Sequence, residues 1–210
     1  VRSGCSGCLA IIIGLVAIVG ASVWSTALML QEPDVEAIPS TRTDATRAQQ
    51  KILRLMTGSA REPIALSEVE VNALVLHTLD PRELPVDHPT VFLRGNDVLE
   101  LVGQVPIRRL IEKSSLAPLA AVLPNSWVTR SLWMHLEAQG ELRRQPRAQL
   151  RFEVRRVSLG RQRVPAATLR LLFEPRSLRF ARVSLPESVA DVRIEPRRVV
   201  IRPTSRRERI

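Results

Sequence analysis

The amino-acid sequence predicts an α+β protein: an N-terminal transmembrane helix followed by an antiparallel, curved β-sheet packed on two or three helices. Three observations predict it. From Ser3 through Leu30 no residue is charged, and Leu9 to Val23 is almost continuously aliphatic. Two segments, around Ala45 and after Ser67, repeat their apolar residues at helical spacing, and from Val91 onward the apolar period changes to two.

The first element follows from length. Some twenty apolar residues at about 1.5 Å each cover a hydrocarbon layer about 30 Å thick, and this run exceeds that. Arg2 precedes it while Glu32, Asp34 and Glu36 follow, so the positive-inside bias puts the N-terminus in the cytoplasm and the remaining domain outside the cell membrane, with Trp24 near the outer interface. The competing reading is a cleaved signal peptide, for which Val19-Gly20-Ala21 offers small residues; the apolar run continues past that point and its basic leader is a single arginine. Either way the domain is exported. Cys5 and Cys8 precede the apolar run, which disfavours a lipoprotein anchor, and no thioredoxin-like pattern surrounds their C-x-x-C spacing. The rest of the chain therefore folds without disulfides. The 210 residues, 45% hydrophobic and 25% charged, divide as an anchor over 1–30, a stalk over 31–42, an exported domain over 43–203 and a disordered basic tail over 204–210.

Within the domain, Ala45, Ala48, Ile52, Leu55 and Met56 mark an amphipathic helix with Gly58 just beyond its end. Ser67 and Glu70 form a capping box, with Leu66 and Val71 as its hydrophobic staple, so a helix opens at Glu68 and runs toward Leu79. Asp80-Pro81 closes it. Val91 and Leu93, the turn Gly95-Asn96-Asp97, and the alternation Leu99, Leu101, Gly103, Val105 read as a hairpin. Ile107 to Val122 is helical, interrupted at Pro118, and Pro124-Asn125-Ser126 ends it. The cleanest alternation follows, with Leu132, Met134, Leu136, Ala138, Gly140 and Leu142 on one face and Trp133, His135, Glu137, Gln139, Glu141 and Arg143 on the other. Across the turn Arg144 to Arg147, the partner strand sets Ala148, Leu150, Phe152 and Val154 against Gln149, Arg151, Glu153 and Arg155. Gly160 breaks it. Pro165 opens a short helix carrying Ala166, Leu169, Leu172 and Phe173, and a last pair of strands turns at Glu195-Pro196-Arg197-Arg198.

Charge and chemistry narrow the function classes. From Gly140 to Ile210 there are 19 arginines against seven acidic residues, whereas the preceding part carries 12 basic and 14 acidic residues. Such a face suits an anionic membrane surface, for which Arg151, Arg155 and Arg156 are the candidates. It equally suits a solvated sheet face. Nucleic acid is disfavoured, because an exported domain rarely meets it and the four Phe and three Trp offer few stacking platforms. No G-x-S-x-G, P-loop, G-x-G-x-x-G or H-E-x-x-H occurs, so no catalytic residue, metal or cofactor is expected. His77, Asp80, Asp87 and His88 match no ligand frame, and His135 lies on the polar strand face.

The helix start Leu66 to Leu74 (LSEVEVNAL), the run Val157 to Pro165 and the closing Leu185 to Val189 with Val192 to Ile201 resemble the YpmS family of bacterial membrane-anchored proteins over most of the chain. The E-x-N-A-L helix start also resembles tubular lipid-binding (TULIP-like) envelope proteins, in which a curved antiparallel sheet wraps a long helix around an acyl chain. The YpmS resemblance implies a membrane-anchored protein and carries no assigned activity, while the TULIP-like one implies a lipid ligand. The residues themselves offer a long aliphatic face, Leu99, Leu101, Leu132, Met134, Leu136, Leu150, Phe152 and Val154, as a groove for lipid or another apolar ligand. The alternatives are that the helices at Glu68 and Ile107 fill this face as an ordinary core, and that the domain is an assembly factor binding an envelope protein partner.

Overall fold

The chain's structure, a computed structural model, describes residues 17, 20, 21, 24–31, 36–78, 86–112, 117–118, 125–144, 148–165 and 182–204. Helix α1 (Arg42–Met56) starts inside the expected stalk. Its opening is a capping box: the Thr41 N–H donates to Asp44 (3.0 Å) and the Asp44 N–H donates to Thr41 Oγ1 (3.3 Å). Gly58, at φ +65°, closes it with its N–H on the Leu55 carbonyl (3.1 Å). Ala45, Ala48 and Leu55 form its buried line, whereas Met56, some 100° further round the helix, is exposed.

Helix α2 (Glu68–Thr78) opens where expected: the Ser67 N–H donates to Glu70 (2.8 Å) and the Glu70 N–H to Ser67 Oγ (3.2 Å). Strand β1 (Ile64–Ser67) leads into it, so Leu66 is a buried strand residue paired with Val199. Strands β2 (Asp87–Gly95) and β3 (Val98–Pro106) form the expected hairpin. Its two turn residues, Asn96 and Asp97, both have φ near +60°, as a two-residue turn matched to strand twist requires. Helix α3 (Ile107–Glu112) is the described start of the expected 107–122 helix; residues 113–116 and 119–124 lie outside the described residues. Asn125 begins a short helix, α4 (Asn125–Val128), where a loop was expected, because its carbonyl accepts the Thr129 N–H (3.1 Å).

Strands β4 (Ser131–Arg143) and β5 (Gln149–Leu159) form the long ribbon, continued by β6 (Gln162–Arg163) and by β7 (Arg182–Ser184) on the same edge of β5. Strands β8 (Val189–Glu195) and β9 (Arg198–Pro203) turn through Pro196 and Arg197. The sheets are β1-β9-β8 and β2-β3-β4-β5-β6, with every described pairing antiparallel, so the α+β class holds. Four, two and three residues are too few to show a period, so β1, β6 and β7 have no counterpart among the expected elements. Thr204 belongs to the folded part, since its N–H donates to the Ser188 carbonyl (2.8 Å); residues 205–210, and the helix expected after Pro165, lie outside the described residues.

Of the expected span over 1–30, residues 17, 20, 21 and 24–30 are helical and the others lie outside the described residues. Among the described residues no helix is long and apolar enough to cross a membrane.

The two sheets meet at their hairpin tips. Asp97 ties them: its N–H donates to the Ile194 carbonyl (3.1 Å), its Oδ1 accepts the Ile194 N–H (2.9 Å), and its carbonyl accepts the Gly140 N–H (2.7 Å). Pro196 lies against Gly95, whose φ of +86° and missing β-carbon allow the approach. One apolar cluster, around Val91, Leu93 and Ile194, takes Val71 and Val75 from α2; a second, around Met134, Leu136, Val157 and Leu159, takes Leu110 from α3.

Candidate functional site

The eight groove candidates share one face of the six-stranded sheet. Register sets Leu99 opposite Ala138 and Leu101 opposite Leu136, and across the ribbon Ala138 faces Val154, Gly140 faces Phe152 and Leu142 faces Leu150. Leu132 and Met134 continue that face along β4. A bulge at Arg155 then matters, because Glu137 pairs with Arg156 while Ala138 pairs with Val154. The extra residue shifts the phase of β5 by one, so that Val157 and Leu159, and not Arg156 and Ser158, join the apolar side opposite Leu136 and Met134.

Among the described residues the face is closed at its centre and partly exposed around it. Met134 and Leu136 are 0% and 3% exposed, whereas Leu99, Leu101, Leu132, Leu150, Phe152 and Val154 are half-buried. Leu99, Leu101 and Phe152 pack against both apolar clusters and so bridge them. Among the described helical residues, α2 contributes Val71 and Val75 beside β2, and α3 contributes Leu110. Met29, from the end of the apolar N-terminal segment, packs against the same cluster. Sequence reading missed that contact.

The opposite face is ionic. Glu100 on β3 lies directly across from Glu137 on β4, and each carboxylate has an arginine on the strand beyond it. Glu100 accepts from His135 Nδ1 (3.2 Å) and pairs with Arg94 (2.6 Å), while Glu137 pairs with Arg156 (3.0 Å). The His135 hydrogen bond, opposed by burial and helped by Arg94, holds the Glu100 carboxyl below the usual carboxylate range. His135 is thus a half-buried hydrogen-bond partner of Glu100. Of the three candidate surface arginines, Arg156 is engaged by Glu137, Arg155 is exposed at the bulge, and Arg151 is half-buried opposite Glu141.

Two clefts, of about 610 and 510 Å³, have charged side chains in their walls, and the smaller borders the apolar face at Gly140 and Leu142. The larger, between α1 and the β9 tip, is lined by the Lys51–Glu70 pair with Arg47, Arg197 and Arg198. Among the described residues no group of three or more His, Cys, Asp or Glu side chains is arranged to hold a metal. Asp87 is bound to Arg109 (2.9 Å), and Asp80 lies outside the described residues. Comparison with protein-family models, curated proteins and solved structures yields no match.

Proposed function

We propose that this protein is a single-pass, membrane-anchored, non-enzymatic protein of the bacterial cell envelope. Its N-terminus is cytoplasmic, and its extracytoplasmic α+β domain binds lipid or another apolar ligand on the greasy face of the large sheet. The resemblance to the YpmS family, and more distantly to TULIP-like proteins, supports this reading. One structural observation carries it furthest. Met29, in the apolar N-terminal segment, packs against the cluster that Leu99, Leu101, Leu132, Phe152 and Val154 fringe, so the ligand face is continuous with the segment that enters the bilayer. An acyl chain leaving the membrane along that segment meets aliphatic side chains without crossing water.

The test uses the full chain in phospholipid vesicles containing a lipid with a photoactivatable acyl chain. Crosslinks are expected on β4 and β5 peptides as well as on the anchor, with Val154→Asp removing the former and sparing the latter. Crosslinks confined to residues 9–30 would overturn ligand binding.

A second reading, an envelope assembly factor with a closed core that binds a protein partner, draws on the complete burial of Met134 and Leu136. It requires that membrane pull-downs lose their partner when Arg151, Arg155 and Arg156 are replaced.

A further inference from the structure

The end of the apolar N-terminal segment is bound to one turn of the large sheet. Between β5 and β6 the chain turns at Gly160-Arg161. The Gly160 N–H donates to the Trp133 carbonyl (2.7 Å), and the next N–H, that of Arg161, donates to the carbonyl of Leu28 (2.9 Å). The last carbonyls of a helix have no partner within it, and here the sheet supplies one. Gly160 makes the approach possible in two ways. Its φ of +54° shapes the turn, and a β-carbon there would overlap the carbonyl oxygens of Leu28 and Met29. The Met29 side chain continues the contact into the core.

The surroundings of this junction suit a bilayer surface. Trp24 is 69% exposed and lies four residues, about 6 Å along a helix, before Leu28. Ala27 and Leu30 are exposed too, so only part of the segment touches the domain. Arg161 and Arg163 are exposed in the very stretch that seats Leu28. Tryptophan favours the interface between hydrocarbon and headgroups, a layer about 5–7 Å deep on each side, and cations within a Debye length of anionic lipid are attracted to it.

Building on the anchored reading above, we infer that the Gly160-Arg161 turn is a seat that holds this end of the β4–β5 ribbon on the bilayer, the ribbon standing up from it, with Arg163 on anionic lipid headgroups. The opposite end of β4, at Arg143, then stands about 30 Å from the surface at the usual rise per strand residue. A seated domain keeps the open end of its apolar face at a constant height above the lipid.

The full chain, with Cys5 and Cys8 replaced by Ser, is tested in nanodiscs of phosphatidylglycerol and phosphatidylcholine carrying a trace of nickel-chelating lipid. Spin labels are attached at Gln162→Cys, Arg143→Cys or Ala21→Cys. Relaxation by headgroup nickel is expected to be several-fold stronger at 162 than at 143. Replacing Arg163 by Gln reduces that ratio in anionic discs and not in pure phosphatidylcholine. Gly160→Asn, which tolerates the left-handed backbone but collides with the segment, brings the two positions toward equality. Met29→Gln does the same from the helix side should the Asn variant not fold. Equal relaxation at 162 and 143, with label 21 still shielded from water, overturns the seat and leaves the anchor standing. An arginine-independent ratio overturns the headgroup contact. A label at 21 that is open to water overturns the anchored reading itself.

Discussion

The side chain of Asn72 pairs with the main chain of Val91 as a neighbouring strand would, donating from Nδ2 to the carbonyl (2.8 Å) and accepting the N–H at Oδ1 (2.7 Å). One helical turn earlier, Glu68 Oε1 accepts the Leu93 N–H (2.6 Å). Positions i and i+4 share a helix face, so two side chains of α2 close the edge of β2 and no further strand can add there.

Asn72 is 1% exposed, so truncating it leaves a buried donor and a buried acceptor on Val91 without partners. Asn72→Ala is expected to destabilise the protein by about 2–4 kcal/mol, and Asn72→Asp by no less, because a carboxylate there faces the Val91 carbonyl and cannot donate to it. Urea unfolding in detergent checks this: the midpoint should fall with the slope unchanged.

The Lys51–Glu70 pair (2.8 Å) is asymmetric, with Glu70 3% and Lys51 32% exposed. Burial raises the Glu70 carboxyl, but Lys51 and the Ser67 N–H and hydroxyl outweigh it and hold it below the ordinary range. A depressed folded value means that the stabilisation is complete above the unfolded carboxylate pKa, about 4.3, and is lost as pH falls through the folded value. Lys51→Met strands a buried carboxylate and is expected to remove about 3–5 kcal/mol at neutral pH. Glu70→Gln leaves a partly solvated ammonium instead, and is expected to remove about 1–3 kcal/mol while abolishing this group's acid dependence. Unfolding curves between pH 3 and 7 distinguish the two.

Two strand glycines should differ. A β-carbon on Gly103 would lie 2.6 Å from Val86 Cγ2 and 2.8 Å from the Asp87 carbonyl, beneath the irregular start of β2, where Gln104 pairs with Asp87 and Val102 with Thr90. On Gly140 it would meet Ile194 and Phe152 at 3.4 Å. Gly103→Ala is therefore expected to lose about 1–3 kcal/mol and Gly140→Ala well under half of that. Thermal melts of the two variants side by side test the contrast.

Asp97 joins the sheets from a left-handed backbone position, φ +61°. Asn keeps the acceptor for Ile194 and tolerates that backbone, whereas Ala does neither. Asp97→Ala is expected to cost about 1–3 kcal/mol and Asp97→Asn less than about 1 kcal/mol. Hydrogen exchange at the Ile194 amide should accelerate in the Ala variant alone.

Much of this architecture was legible before any coordinates. The capping box at Ser67, the turns at Asn96-Asp97 and Pro196-Arg197, and the long alternation through Leu132 and Val154 are local patterns, each written within a few residues. All eight groove candidates share one face because strand period is a local property. The bulge at Arg155 was not legible, since only the partner strand defines which residue is extra. Nor was the role of Asn72, although a polar residue set among Val71, Ala73, Leu74 and Val75, four positions after Glu68, was its signal.

Periodicity, capping chemistry and turn residues thus determined which elements form and which side of each is greasy, because those depend on neighbours in the chain. Tertiary structure alone decided what each greasy side meets. Hydrogen bonds from Asn72 to Val91 and from Arg161 to Leu28 join residues 19 and 133 positions apart, and no local pattern encodes such a partner. Their geometry exists only once the sheets have formed and brought those groups within reach.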